Sequence, residues 1–232
     1  MFVTGFPSAV FGTNCFVVAT APGQECLVVD PGIEVVEPLA EVLAEHRLRP
    51  AAVLLTHGHL DHTYSVTPVC GAHGVAAYVH ADDRYRLADP IASLDGGLIA
   101  VLEREFGRSA TWREPDDVRL VGDDQELQVA GLAVRVVHAP GHTEGSVMFA
   151  LPGAPDGASA SSTVLSGDVL FAGSVGRTDL PGGDGAAMMR SLSEKVLTLP
   201  DDTLVLPGHG PVTTVGRERA TNPFLARARR TG

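Results

Sequence analysis

Apolar residues along this chain come in short runs separated by Gly, Pro, Asn and Asp, the punctuation of β structure. Residues 2–6, 14–20 and 26–29 read as strands, with turns at Gly12 and at Pro22-Gly23. Between residues 34 and 46 the spacing changes. Val35, Leu39, Val42 and Leu43 fall near helical intervals, which predicts a helix. Pro50 closes that unit, and residues 51–55 read as a buried strand. A helix over 63–73 and a strand over 76–79 complete a βαβ pattern. Further strands are predicted over 118–120, 126–129, 132–137, 146–151 and 163–165. A helix over 186–197 and a last strand over 203–206 follow. The two halves together predict one α/β domain over 1–232, a sandwich of two mixed β-sheets with helices outside.

Two segments interrupt the pattern. Residues 152–162 are rich in Gly, Ala, Ser, Pro and Asp, which predicts a mobile hairpin loop. Residues 89–115 read as a helical insertion, with Leu98, Val101, Leu102 and Phe106 predicted on one face of a helix over 94–106. That helix either packs its apolar stripe on the outside or covers a site mouth.

Composition narrows the function classes. Of 232 residues 44% are hydrophobic, enough for a sizeable core, but only 5% are aromatic, so Val, Leu and Ala must fill it. The formal net charge of −11 argues against a nucleic-acid surface, which needs clustered Lys and Arg. Arg217, Arg219, Arg227, Arg229 and Arg230 gather in the tail, where a solvated helix end accounts for them. Cys15, Cys26 and Cys70 sit in apolar runs and read as buried, inert thiols. The start, Met1-Phe2-Val3-Thr4-Gly5, lacks a basic segment followed by an apolar one. No run approaches the ~20 apolar residues of a membrane span, so a cytoplasmic protein without membrane contact is expected.

The chemistry concentrates in Thr56-His57-Gly58-His59-Leu60-Asp61-His62, directly after the buried run Val53-Leu54-Leu55. A strand carries these residues to its end, and a tight loop can then turn three imidazoles and a carboxylate toward a common point. Nitrogen and carboxylate oxygen suit zinc, and also iron or manganese. His142, Asp168 and His209 each follow another apparent strand and stand beside Gly. Seven candidate ligands exceed what one tetrahedral ion takes, and they suit two ions sharing a carboxylate.

This ordered set, His57-x-His59-x-Asp61-His62 followed by His142, Asp168 and His209, resembles the metallo-β-lactamase superfamily. The runs Gly167-Asp168-Val169-Leu170-Phe171 and Gly173-Ser174-Val175-Gly176-Arg177-Thr178-Asp179 are similar to short glyoxalase II-like hydrolases, as is the ending Glu218 to Leu225. The resemblance implies an αββα fold with metals at one edge between the sheets. It implies His57, His59 and His142 at a first metal, Asp61, His62 and His209 at a second, and Asp168 bridging. Two zinc ions would acidify a shared water, and the resulting hydroxide would attack a small-molecule thioester. Asp61 and Asp168 would then serve catalysis as well as binding.

Other positions stay open between two roles. Asp30, before Pro31-Gly32, is either a carboxylate that orients a ligand histidine or a turn former. Arg177 either contacts substrate, as a lysine does at the similar place in long glyoxalase II enzymes, or pairs with Asp179. His46, His73, His80 and His138 match no ligand position; the first two read as solvent-facing helix residues and the last two as strand ends. Only residues 211–232 follow the last candidate ligand, too few for the C-terminal helical domain with which long glyoxalase II enzymes bind glutathione. The thiol carrier is therefore open. The Gly176-Arg177-Thr178-Asp179 run also resembles persulfide dioxygenases, which use one iron, and a lactonase is a further alternative.

Overall fold

The computed structural model describes residues 1–89 and 113–231. The predicted helix over 94–106 lies outside the described residues. The first sheet runs in chain order, β1 (Phe2–Pro7), β2 (Asn14–Ala19), β3 (Glu25–Val29), β4 (Arg49–Leu54), β5 (Ala77–His80) and β6 (Val118–Val121). β1 to β3 are antiparallel, and β3 to β6 are parallel. The second sheet runs β7 (Glu126–Val129), β8 (Leu132–His138), β9 (Val147–Pro152), β10 (Ser162–Gly167), β11 (Leu204–Pro207) and β12 (Thr213–Thr214). All its pairings are antiparallel except β10 with β11. Both sheets are therefore mixed, and the predicted sandwich is the observed one.

Side-chain alternation sorts the strands into three apolar layers. Phe16, Val18, Leu27, Val29 and Leu54 of the first sheet meet Val134, Val136, Phe149, Leu151 and Leu165 of the second. The opposite faces are also apolar. Cys15, Val17, Val28 and Val53 pack under α1 (Val36–His46), through Leu39 and Leu43, and under α3 (Val66–His73), through Val66 and Val69. Met148, Val164 and Val205 pack under α5 (Gly185–Ser191) and the α6–α7 pair (Val215–Thr221 and Pro223–Thr231), through Met188, Val215, Leu225 and Ala228. Strands covered on both faces explain runs that are apolar at every position. All three cysteines are buried and free, and burial pushes the Cys26 and Cys70 thiols up to about 12.

The structure corrects the expected helices in detail. The helix predicted over 63–73 is two, α2 (Leu60–Thr63) and α3, because the Ser65 amide leaves the helical ladder to bond Pro31 O at 3.0 Å. A short 3-10 turn, Ala81–Asp83, leads into α4 (Arg84–Ala88). The helix predicted over 186–197 becomes a π turn, Leu192–Val196, after α5. Residues 153–161 do link β9 to β10 as a hairpin. His46 is half-buried rather than solvent-facing, because its ring packs 4.7 Å from that of Phe2. Among the described residues no helix is long and apolar enough to cross a membrane.

The fold brings the chemistry-bearing residues to one edge. Asp30 follows β3, the His57–His62 stretch follows β4, and Asp83 follows β5. His142 follows β8, Asp168 follows β10 and His209 follows β11. Each thus leaves the carboxyl end of a strand, and the two sheets deliver them to one shared edge.

Candidate metal centre

All seven sequence candidates meet at that edge. One ligand atom from each of His57, His59 and His142 lies within 4.8 Å of the other two, and the same holds for Asp61, His62 and His209. His57, His62 and Asp168 make a further such group. Asp168 stands between the clusters, its Oδ1 3.4 Å from His62 Nε2 and its Oδ2 3.4 Å from His142 Nε2 and 3.6 Å from His209 Nε2. Asp61 Oδ2 is 3.2 Å from His209 Nε2 and 3.5 Å from His62 Nε2. This packing needs Gly208, since a Cβ there would stand 2.3 Å from Asp168 Oδ1 and 2.7 Å from His62 Cε1.

The outward nitrogen of four rings faces an acceptor. His142 Nδ1 donates to Arg177 O at 2.7 Å, His62 Nδ1 to Asp30 Oδ2 at 3.0 Å, and His209 Nδ1 to Phe11 O at 3.2 Å. Thr56 Oγ1 donates to Asp30 Oδ2 at 2.6 Å, so its lone pair takes the Nδ1–H of His57 at 3.1 Å. These partners fix the tautomer, and the Nε2 lone pair of each ring is turned inward. The fifth ring, that of His59, brings Nδ1 to 2.8 Å from His142 Nε2. His57 Nε2, His59 Nε2 and Asp168 Oδ1 are buried with no hydrogen-bond partner. Buried polar atoms are rarely left so. Converging lone pairs, carboxylates between them and orphaned buried atoms fit a pair of divalent cations.

The charge states agree with this arrangement. Burial, with His142 next, lowers His59 to about 3, and burial together with the neighbouring imidazoles lowers His57 well below the usual range. Burial also opposes the charge on His62, but Asp61, Asp168 and Asp30 outweigh it and raise that imidazole well above its ordinary value. His209 is raised against burial by its hydrogen bond to Asp61. Burial opposes ionisation of Asp61 and Asp168, yet His62 and His209 hold both carboxyls below the usual range. Without cations, the carboxylates thus favour protons on His62 and His209.

Asp30 takes the first of its two predicted roles. Its buried carboxylate accepts from Thr56 N at 2.8 Å as well as from Thr56 Oγ1 and His62 Nδ1. Arg177 is exposed and makes the Asp179 pair, at 2.7 and 2.9 Å, while its carbonyl holds His142. His80, Asp82 and His138 form a separate group, but the two rings stack 3.9 Å apart with planes 13° from parallel. Lone pairs in near-parallel planes do not converge on one ion, and His138 Nε2 is turned to Glu144 O at 2.8 Å.

Several supporting residues have no local signal in the sequence. Thr13 Oγ1 donates to Asp61 Oδ2 at 2.8 Å, and the Asn14 amide bonds Gly208 O at 2.7 Å. Glu218, wholly buried on α6, accepts from Gly173 N at 2.7 Å and Thr213 Oγ1 at 2.6 Å, which ties the tail to the loop after Asp168. The tail is therefore more than a solvated helix end. Arg219 is partly buried and donates to Leu199 O at 2.7 Å, whereas Arg217, Arg227, Arg229 and Arg230 are exposed.

The sequence profile of the Metallo-beta-lactamase superfamily matches residues 9–209, a span that holds all seven candidate ligands. The chain belongs to that superfamily. An uncharacterized Mycobacterium tuberculosis protein is 45% identical to this superfamily member over 97% of this chain and 98% of its own. A Haemophilus influenzae protein named hydroxyacylglutathione hydrolase is 30% identical over 94% of this chain and 95% of its own. Among solved structures, BLEG-1, a B3 metallo-beta-lactamase, superimposes with a TM-score of 0.79 at 35% identity, covering 97% of this chain and 99% of its own. TTHA1623 in a di-iron-bound form gives 0.76 at 37% identity, covering 96% and 100%.

Proposed function

We propose that this superfamily member is a binuclear metal-dependent hydrolase of hydroxyacyl-thiol esters, of the glyoxalase II type. The observation that carries the reading is the pair of three-ligand clusters joined through Asp168. His57, His59 and His142 would hold one ion, Asp61, His62 and His209 the other, and Asp168 would span them. When bound, two zinc ions, or iron or manganese on the same donors, would polarise a carbonyl and lower the pKa of a shared water toward about 7.

The protein's own groups do the rest in this reading. Asp61, held by Thr13, accepts a hydrogen bond from the attacking water and orients it. Asp30, Phe11 O and Arg177 O keep the imidazoles in the tautomer that leaves Nε2 free. A thiolate leaves without help from an acid, so no separate proton donor is required. The Arg177–Asp179 pair is exposed, and a substrate carboxylate competes with Asp179 for the guanidinium fork. The Haemophilus influenzae relative supports the substrate class, and the di-iron-bound TTHA1623 supports two metals. The likeness to BLEG-1 makes β-lactams a necessary control.

The test is metal analysis of protein purified without added metal, followed by turnover of S-lactoylglutathione, other acyl-thiol esters, lactones and a β-lactam. Two ions per chain with preference for thioesters is the expected result. Two ions with preference for a lactone or β-lactam would overturn the substrate class. One iron per chain with oxygen uptake on a persulfide would overturn the hydrolase.

A further inference from the structure

The side chain of Asp83 is wholly buried in the turn between β5 and α4, away from every candidate ligand in the chain order, and it accepts four hydrogen bonds. Gly58 N donates at 2.7 Å and Thr143 Oγ1 at 2.7 Å, both to Oδ2. Gly145 N donates at 2.9 Å and Arg86 Nε at 3.3 Å, both to Oδ1. Gly58 lies between His57 and His59, and Thr143 follows His142. One carboxylate therefore grips both segments that supply the three-histidine cluster. Those segments leave different sheets, β4 of the first and β8 of the second.

The approach is too close for larger residues. A Cβ on Gly58 would stand 2.7 Å from Arg86 Cβ, and one on Gly145 would stand 2.7 Å from Asp83 Cγ. Arg86 is itself wholly buried and carries the contact onward, from Nη2 to Glu144 Oε2 at 2.7 Å and Pro181 O at 2.9 Å. A buried ion pair is weak evidence of stabilisation, since apolar replacements of similar volume often do as well. What this one supplies is geometry, because each Asp83 oxygen takes a backbone amide from one of the two ligand-bearing segments. The second cluster has separate supports, with Asp30 on His62, Thr13 on Asp61 and Phe11 O on His209.

We propose that Asp83 is a positioning residue that sets the spacing of His57 and His59 against His142, and so tunes metal affinity at the three-histidine cluster separately from the Asp61–His62–His209 cluster. The proposal rests on the two-metal reading above. Loss of partners that orient ligands typically costs 10–100-fold in metal affinity.

Cobalt titration of metal-free protein, followed by its visible spectrum, tests it. His142→Ala and His209→Ala supply the spectrum of each cluster alone. Asp83→Asn should weaken cobalt at the three-histidine cluster about 10–100-fold and leave the other cluster unchanged. Thr143→Val removes one of the four bonds, keeps the Asp83–Arg86 pair, and should shift the same ratio in the same direction by less. A purely structural role would lower the unfolding temperature and move both affinities together, which overturns the proposal. An unchanged ratio in Thr143→Val overturns it too, even where Asp83→Asn fails to fold. A wild-type chain that binds fewer than two cobalt ions would instead defeat the two-metal reading, and the proposal with it.

Discussion

Asp30 holds φ at 51°, a setting that non-glycine residues adopt at a cost and Asn or Asp tolerate best. What holds it there is the set of donors its buried carboxylate satisfies, Thr56 N, Thr56 Oγ1 and His62 Nδ1. Asp30→Ala strands all three and adds the left-handed penalty of alanine. Each buried donor left unpaired costs about 1–3 kcal/mol, so urea denaturation should show a loss of at least ~3 kcal/mol. Asp30→Asn keeps one acceptor and the left-handed tolerance, and should lose less. Equal stabilities for the two variants would sink this account. The contrast with the candidate ligands explains what was legible at this scale. His57, His142, Asp168 and His209 announce themselves locally, each beside glycine at a strand end. Thr13, Asp83 and Glu218 act on groups 48, 60 and 45 positions away, on Asp61, Thr143 and Gly173, and no local pattern marks a polar residue for such a partner.

Strands were more legible than helices, for a reason that lies in what each element packs against. A strand covered on both faces must be apolar along its buried length, and β2, β3 and β4, beyond their polar first residues, are recognisable from that alone. The helices lie outside and carry one apolar stripe, so their ends depend on tertiary contacts such as Ser65 N to Pro31 O. α7 makes the point testable. Leu225 and Ala228, three apart, are wholly buried against the second sheet's outer layer, whereas Phe224 is 37% exposed. Leu225→Ala should cost about 2–5 kcal/mol, because transfer and cavity terms add. Phe224→Ala should cost less, about 1–2 kcal/mol, because its ring is only partly covered. Thermal unfolding of the two variants checks this, and the reverse order would show that the helix is not held by its inner stripe.

At the scale of the whole molecule, the candidate ligands span both sheets, with His57 to His62 from the first and His142, Asp168 and His209 from the second. The edge that joins the sheets is therefore also where charge must be balanced, by cations or by protons. That makes the stability of the metal-free protein depend on pH in two directions. His57 and His59 have lowered values, His59 to about 3, so the folded state binds fewer protons than the unfolded chain below about 6.5. Stability must then fall as pH drops through that window. His62 and His209 have raised values, so above about 6.5 the folded state binds more protons than the unfolded chain. Their contribution is complete below that point and is lost as pH rises through the folded values. The metal-free protein should therefore be most stable near pH 6.5 and decline on either side. Cations on the same atoms remove the alkaline decline, since no proton is left to lose there, but keep the acid one, because ligand imidazoles must stay unprotonated. Unfolding temperatures measured across pH, before and after chelation, should show a plateau toward alkaline pH become a peak. A metal-free profile that stays flat above neutrality would mean that His62 and His209 do not take over the balance of charge at this edge.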